Sequence, residues 1–316
     1  MSYINAKKLE KVYHVRGTSE KVKAIKGIDL NIDKGEIVGL LGLNGAGKTT
    51  LIKIICGIIK PSSGELTIGK YIPYDRKREF LQKLGLVMGQ RTQLWWDISP
   101  LDSFKIEKEI YKISNNDFNN RLEYMTSLLD IKEKLHTPVR QLSLGQRMKM
   151  ELILCLIHEP SLLLLDEPTL GLDIISQVAL RQFIYEYNKK IGNTVIITSH
   201  NMKDIEEICD RIIILDQGSI IFNDSKDQLY ERYKDINVLC IKTNEKLDLC
   251  GYEFITNETY ESQIIVEKAS IEKCLSDIKA KNKIDKYSIN DINLEIIIRM
   301  MYKNSSTQEG VQYENI

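Results

Sequence analysis

The chain has 316 residues, of which 43% are hydrophobic and 28% charged, a globular composition that excludes wholesale disorder. Lys plus Arg equals Asp plus Glu at 44 each, so no global field selects nucleic acid or anionic lipid as a partner. The longest apolar runs, such as Leu152 to Ile157 and Leu162 to Leu165, fall far short of the roughly 20 residues that cross a bilayer.

Residues 1–8 carry no apolar signal core, so the expectation is a protein that stays in the cytoplasm unless a partner holds it elsewhere. In chain order, the segment through Ile32 alternates as antiparallel strands do, and Asp33-Lys34-Gly35 reads as a turn. Ile37 to Leu41 is apolar on both faces, as in a buried parallel strand. It leads into Gly42-Leu43-Asn44-Gly45-Ala46-Gly47-Lys48-Thr49, and a helical run from Thr50 to Ile59 leads out.

That segment fits G-x-x-x-x-G-K-[ST] in its proper setting, between a strand and a helix. Its glycines let backbone N–H groups turn onto phosphate oxygens, where a helix N-terminus adds partial positive charge. Lys48 is placed to reach the β and γ phosphates, and the Thr49 hydroxyl to ligate Mg²⁺.

Between about Gln90 and Gln141 the pattern changes to helical spacing. Leu101, Phe104 and Ile110 are followed by Phe118, Leu122, Met125 and Leu129, across a polar break at Ser114-Asn115-Asn116. This reads as a helical insertion, about 91–141, in an α/β core. Leu162 to Leu165 is a further buried strand, and Asp166-Glu167 at its end delivers two carboxylates to the sheet edge where open α/β folds bind ligands. Asp166 would hold the Mg²⁺ shell, and Glu167 would polarise the attacking water. Val195 to Thr198 and Ile212 to Leu215 complete the expected core.

After about Asp224, Ile236 to Lys242, Tyr252 to Thr256 and Gln263 to Glu267 read as strands, and Ser270 to Lys281 and Asp291 to Tyr302 as helices. The expected organisation is a domain over 1–224, a small α+β accessory domain over 225–303 and a disordered tail over 304–316. The cysteines at 56, 155, 209, 240, 250 and 274 have no C-x-x-C spacing and read as small apolar core residues.

Phosphate loops serve many enzyme families, and the discriminating segment is Leu142-Ser143-Leu144-Gly145-Gln146. It resembles the LSGGQ signature of ABC-type ATPases. Other family elements follow in order: Tyr13 as the aromatic that stacks on adenine, Gln90 as the Q-loop glutamine, Gly171-Leu172-Asp173 as the D-loop, and His200 as the switch histidine. The resemblance covers residues 3 to about 223. It implies a P-loop ABC-type nucleotide-binding domain, with a mixed sheet core, an antiparallel β subdomain and a helical subdomain.

The resemblance further implies two cassettes arranged head to tail around two ATP, with Gly42 to Thr50 of one facing Ser143, Gly145 and Gln146 of the other. Gln90 would link the Mg²⁺ site to the helical insertion, and His200 would contact the γ-phosphate. A homodimer suffices, since every half-site motif is present; a heterodimer stays open. Leu144 stands where the family usually has Gly, which puts the signature's contact with nucleotide in question. LSLGQ, with residues 89–97 and 166–173, looks like an ABC-2 exporter subgroup. Its cassettes work on the cytoplasmic face of the membrane, held by a separately encoded permease. A soluble ABC ATPase and an importer motor are the alternatives. Trp95 and Trp96 fit either a permease contact or core packing of the insertion.

Overall fold

The computed structural model describes residues 2–14, 17, 20–89, 92–244, 246–258 and 261–309. The chain divides into two compact units, 1–225 and 226–316.

In the first unit, β1 (Ser2–His14) pairs antiparallel with β2 (Lys21–Asp33). The simple alternation expected here is broken. Ile4, Ala6 and Leu9 are buried, because a register shift between Ala6 and Leu9 inserts one residue and Lys8 takes φ 47°. The bulge keeps the apolar side chains on one face where strict alternation would have turned Leu9 outward.

Next come β3 (Ile37–Gly42), α1 (Lys48–Ile55) and β4 (Ser63–Ile68). α1 begins earlier than expected and stops at Ile55 rather than Ile59, because Gly57 adopts φ 72° and ends the helix. A Cβ on Gly57 would run into the Pro73 carbonyl.

After the short α2 (Arg78–Leu81) and β5 (Leu84–Met88) comes the helical insertion, α3 (Pro100–Tyr111) and α4 (Asn115–Leu128). Ser99 caps α3 by accepting from the Asp102 N–H at 3.2 Å, with Pro100 following in the first turn. Ser114 caps α4 through the Asp117 N–H at 3.1 Å, which is why the polar break separates two helices. Phe104, Phe118, Leu122, Met125 and Leu129 are buried as their spacing predicts, whereas Ile110 is exposed.

The remaining elements of this unit are α5 (Leu144–Leu156), β6 (Leu162–Asp166), α6 (Ile174–Ile191), β7 (Thr194–Thr198), α7 (Met202–Ile208), β8 (Arg211–Asp216) and β9 (Ser219–Ser225). The core sheet has order β5-β6-β7-β3-β8-β9, parallel except for β9, and a smaller antiparallel sheet has order β2-β1-β4. The strands expected over 37–41, 162–165, 195–198 and 212–215 are all present, each flanked on both faces. Edge strands β5 and β9 carried no such signal, since a half-covered strand lacks the continuous apolar run.

His158, just beyond α5, holds the insertion to the sheet. Its ring stacks on Tyr111 of α3 (centroids 3.9 Å apart, 12°), and Nε2 lies 3.2 Å from the Leu84 carbonyl oxygen of β5. Nδ1 is buried with no hydrogen-bond partner among the described residues, and burial pushes the imidazole pKa down to about 4. The folded value lies below the ordinary one near 6.5, so folding favours the neutral ring. This stabilisation is complete above about pH 6.5 and is lost as pH falls towards about 4. The melting temperature should therefore drop across that window, and His158→Gln should flatten this part of the profile. An equally steep profile in the variant would assign the loss to other groups.

The second unit holds α8 (Lys226–Arg232), β10 (Ile236–Lys242), β11 (Phe254–Asn257), β12 (Glu261–Glu267), α9 (Ile271–Lys281), β13 (Lys286–Asp291) and α10 (Leu294–Glu309). Its antiparallel sheet has order β11-β12-β10-β13. Leu239, Ile241, Ile264 and Val266 on one face pack with Cys274, Leu275 and Ile278 of α9. β13 went unforeseen because all of it is exposed and only Tyr287 and Ile289 in it are apolar. A tail was expected from Asn304. The described helix α10 runs through Glu309, and residues 310–316 lie outside the described chain.

Candidate functional site

Because β3, β5, β6 and β7 run parallel, their C-terminal ends share one edge, where Gly42, Asp166 and Thr198 end β3, β6 and β7. The phosphate loop leaves β3 and is wedged into place by its neighbours. Ala46 accepts from the Gly218 N–H at 3.0 Å in the β8–β9 turn, and a Cβ on Gly47 would stand 2.6 Å from the Ala24 carbonyl oxygen. Gly47 (φ 109°) and Gly45 (φ 84°) hold left-handed backbone that only glycine adopts without strain. Gly42 is closed in as well: a Cβ there would stand 2.9 Å from both Ala46 and the Leu215 carbonyl oxygen.

Lys48 is buried at the start of α1 and donates to the carbonyls of Gly42 and Leu43. Burial lowers its pKa, opposed by the nearby carboxylates of Glu167 and Asp166. Asn44, Gly45 and Thr49 are exposed and Thr50 is half-buried, so the loop presents its tip outward.

On β6, Asp166 Oδ1 accepts from the Thr198 hydroxyl at 2.7 Å. The Glu167 N–H donates to both the Thr198 carbonyl (3.1 Å) and hydroxyl (3.0 Å). Thr198, at the end of β7, thus fixes both carboxylate residues; it carried no recognisable sequence signal beyond its strand. Glu167 itself takes φ 55°, unusual for a side chain of its size. That turn aims its Oε1 at His200 Nε2, 2.9 Å away. Gly89 follows β5 and donates to the Asp166 carbonyl at 2.8 Å. Gln90 lies outside the described residues.

The Thr49 hydroxyl and the Asp166 carboxylate offer the hard oxygen donors that suit Mg²⁺. Asp166 commits one oxygen to Thr198, which orients the other. The donor chemistry fits the ion. Mg²⁺ also usually keeps several waters and substrate phosphates in its shell, so two protein ligands suffice.

Tyr13 sits near the end of β1, 37% exposed, with Lys11 Nζ 5.2 Å from its ring centroid. The signature opens α5, where Ser143 and Gln146 form a capping box: Ser143 Oγ accepts from the Gln146 N–H (3.2 Å), and Gln146 Oε1 from the Ser143 N–H (3.1 Å). The first intrahelical bond is Arg147 N–H to Ser143 O, so the Leu144 and Gly145 N–H groups precede the intrahelical ladder, Leu144 exposed and Gly145 buried.

The sequence suggested that the signature glycines admit nucleotide, but the structure gives Gly145 another reason. A Cβ there would collide with the Ser176 hydroxyl of α6, which the D-loop Asp173 caps through its N–H at 2.9 Å. Leu144 leans on the same loop, with Cδ2 3.3 Å from where a Gly171 Cβ would stand. Signature and D-loop are therefore packed together within one chain.

Trp95 and Trp96 are 62% and 49% exposed, so the core-packing alternative falls away. Glu151 of α5, not singled out in the sequence, anchors the segment leading to them. Its buried carboxylate accepts from the Thr92 hydroxyl and from the Gln93 and Leu94 N–H groups at 2.8 and 3.2 Å. Burial raises its pKa, with these bonds opposing.

A family model for ABC transporters matches residues 25–170. The ABC transporter ATP-binding protein NatA of Bacillus subtilis (strain 168) is 32% identical over 220 residues, covering 69% of this chain and 89% of that one. The linearmycin resistance ATP-binding protein LnrL of the same organism is 29% identical over 284 residues, covering 87% and 90%. Other relatives are named for glucose and methionine import. Among solved structures, the dimeric ATP-binding cassette MJ0796 with ADP and Pi shares 26% identity at a TM-score of 0.61, covering 70% of this chain and 98% of that one. With its phosphate loop, paired carboxylates and signature on a cassette fold, the chain belongs to the ABC transporter ATP-binding proteins.

Proposed function

We propose that this chain hydrolyses ATP with Mg²⁺ between two cassettes and thereby drives a separately encoded membrane permease, in export. The observation that carries the hydrolysis is the gathering of Lys48, Asp166, Glu167 and His200 at one sheet edge, with Glu167 and His200 in contact at 2.9 Å. Glu167 is placed to take a proton from water, and His200 to hold the carboxylate and meet the γ-phosphate. Lys48 would release the loop carbonyls to pair with phosphate oxygens. Bound there, Mg²⁺ would supply neutralisation of the phosphate charge. Thr49, Gln90 and Asp166 would hold it, and Tyr13 would stack on the base.

The signature of a second copy would complete each site through the Leu144 and Gly145 N–H groups with Ser143 and Gln146. The dimeric neighbour supports that arrangement. The Leu144 side chain rests on Gly171 and leaves the capping box of Ser143 and Gln146 intact, which supports a working signature despite the missing glycine. Among the described residues no helix is long and apolar enough to cross a membrane, so the channel would lie in another chain, with this one peripheral on the cytoplasmic face. Export rests on the subgroup resemblance and on the resistance relative; the import-named relatives favour the opposite direction as the second reading.

Exposed Trp95 and Trp96 fit the permease contact, with Arg147 stacked 5.5 Å from the Trp96 ring. Trp95→Ala should leave the melting temperature and ATPase rate of the isolated chain unchanged while transport by the assembled complex falls at least tenfold. A collapse of the isolated ATPase would remove the interface reading. The whole proposal is tested by purifying the tagged chain from solubilised membranes. A stoichiometric polytopic protein should accompany it, and recovery with cytosolic partners alone would sink the transport assignment. Flux into or out of vesicles bearing that complex then decides direction.

A further inference from the structure

Asp204 of α7 is wholly buried, a costly place for a carboxylate unless its position matters. Its Oδ2 accepts from the Ser199 hydroxyl at 2.6 Å and from the Thr169 hydroxyl. Its Oδ1 accepts from Arg181 Nη1 of α6 at 2.8 Å, and Arg181 Nε meets Glu207 at 2.5 Å. Arg181, Thr169 and Ser199 are themselves almost completely buried.

Ser199 immediately precedes His200, and Thr169 lies just past Glu167. A single carboxylate oxygen therefore ties the loop that carries the histidine to the loop that carries the glutamate. The tie is reinforced on the far side of His200. Asn201 Nδ2 donates to Gln177 Oε1 at 3.1 Å, and Gln177 Nε2 donates to the Leu172 carbonyl of the D-loop at 3.1 Å. Thr198, at the sheet, joins the same two loops from the inner side. The 2.9 Å contact between His200 and Glu167 is thus held between an inner and an outer brace.

A hydrophobic cluster of the same volume would stabilise the fold at least as well as a buried ion pair does. What it would not do is fix the direction of two hydroxyls on two separate loops. We propose that Asp204, with its charge balanced by Arg181, is a positioning residue for hydrolysis, setting the geometry of His200 against Glu167 without touching nucleotide. The tie acts on the step that needs both groups aligned, so its loss should fall on turnover and spare ATP binding. This rests on the ATPase reading above.

The test compares Asp204→Asn with Ser199→Ala and Thr169→Val in the full chain. The two hydroxyl deletions keep the buried ion pair, so they remain informative if Asp204→Asn folds poorly. Steady-state kcat and KM are measured beside the equilibrium Kd for ATP. Asp204→Asn should lower kcat at least tenfold with Kd within twofold of the parent, and each hydroxyl deletion should lower kcat about threefold to tenfold. Combining the two deletions should cost less than the product of the single losses, because one oxygen serves both. Parental kcat in the folded variants, or a Kd that weakens in step with kcat, would overturn the assignment.

A parent without turnover would instead count against the ATPase reading. The geometry is then read by NMR from the His200 ring, one of four histidines and identified by its loss in His200→Ala. Its resonances should shift in Ser199→Ala and Thr169→Val; unchanged resonances in both would overturn the brace.

Discussion

Glu167→Gln is expected to lower ATP turnover by about 10²–10⁴-fold, the usual contribution of a positioned general base. The amide is nearly isosteric and can still meet His200 Nε2, now 2.9 Å from the carboxylate, so folding and ATP affinity should hardly change. What is lost is basicity towards water. Nucleotide joining two cassettes then persists, and size exclusion in ATP should show a dimer that the parent forms only transiently. The left-handed backbone at this position is as tolerable for Gln as for Glu, so the comparison isolates chemistry from strain. Turnover at the parental rate would remove Glu167 from the catalytic role.

Gly89→Ala is expected to have a comparable effect for a different reason. A Cβ at Gly89 would be driven into the Glu167 carbonyl oxygen and would stand 3.3 Å from that of Asp166. Both obstacles are backbone, so no rotamer change relieves them. Either β5 withdraws, breaking the 2.8 Å bond from the Gly89 N–H, or the carboxylate loop moves. Overpacking of this kind costs about 1–3 kcal/mol, and a displacement of about 1 Å at a reacting group can cost roughly 10²-fold in rate. Melting temperature and kcat should fall together, with kcat still depressed at temperatures where the variant is fully folded. A folded variant with the parental rate would show that the loop absorbs the methyl group without moving Glu167.

The chemistry of the site was readable because it is written in short contiguous runs. Residues 42–49 carry the loop's glycines, lysine and threonine in one stretch, and Asp166-Glu167 terminates a run of leucines short enough to read as a buried strand. The core strands were readable for the same reason. Edge strands such as β13 were not, since exposed strands need no apolar pattern. The length of α1 was misjudged because the apolar run continues through Ile58 and Ile59, while the helix is stopped by a glycine whose neighbour is Pro73, distant in sequence.

By itself, then, the sequence determined the class of chemistry and the order of the pieces, because backbone conformation and donor type within a loop are local properties. The tertiary structure decided what holds the pieces to one another. Only the fold brings Thr198 to both carboxylates, sets Gly145 against Ser176, and folds Asp204, Arg181, Thr169 and Ser199 into one buried network. Exposure of Trp95 and Trp96 was likewise undetermined until packing left them outside. Such contacts join residues far apart in the chain, and a single hydroxyl or carboxylate has no periodicity or spacing that marks its partner in advance.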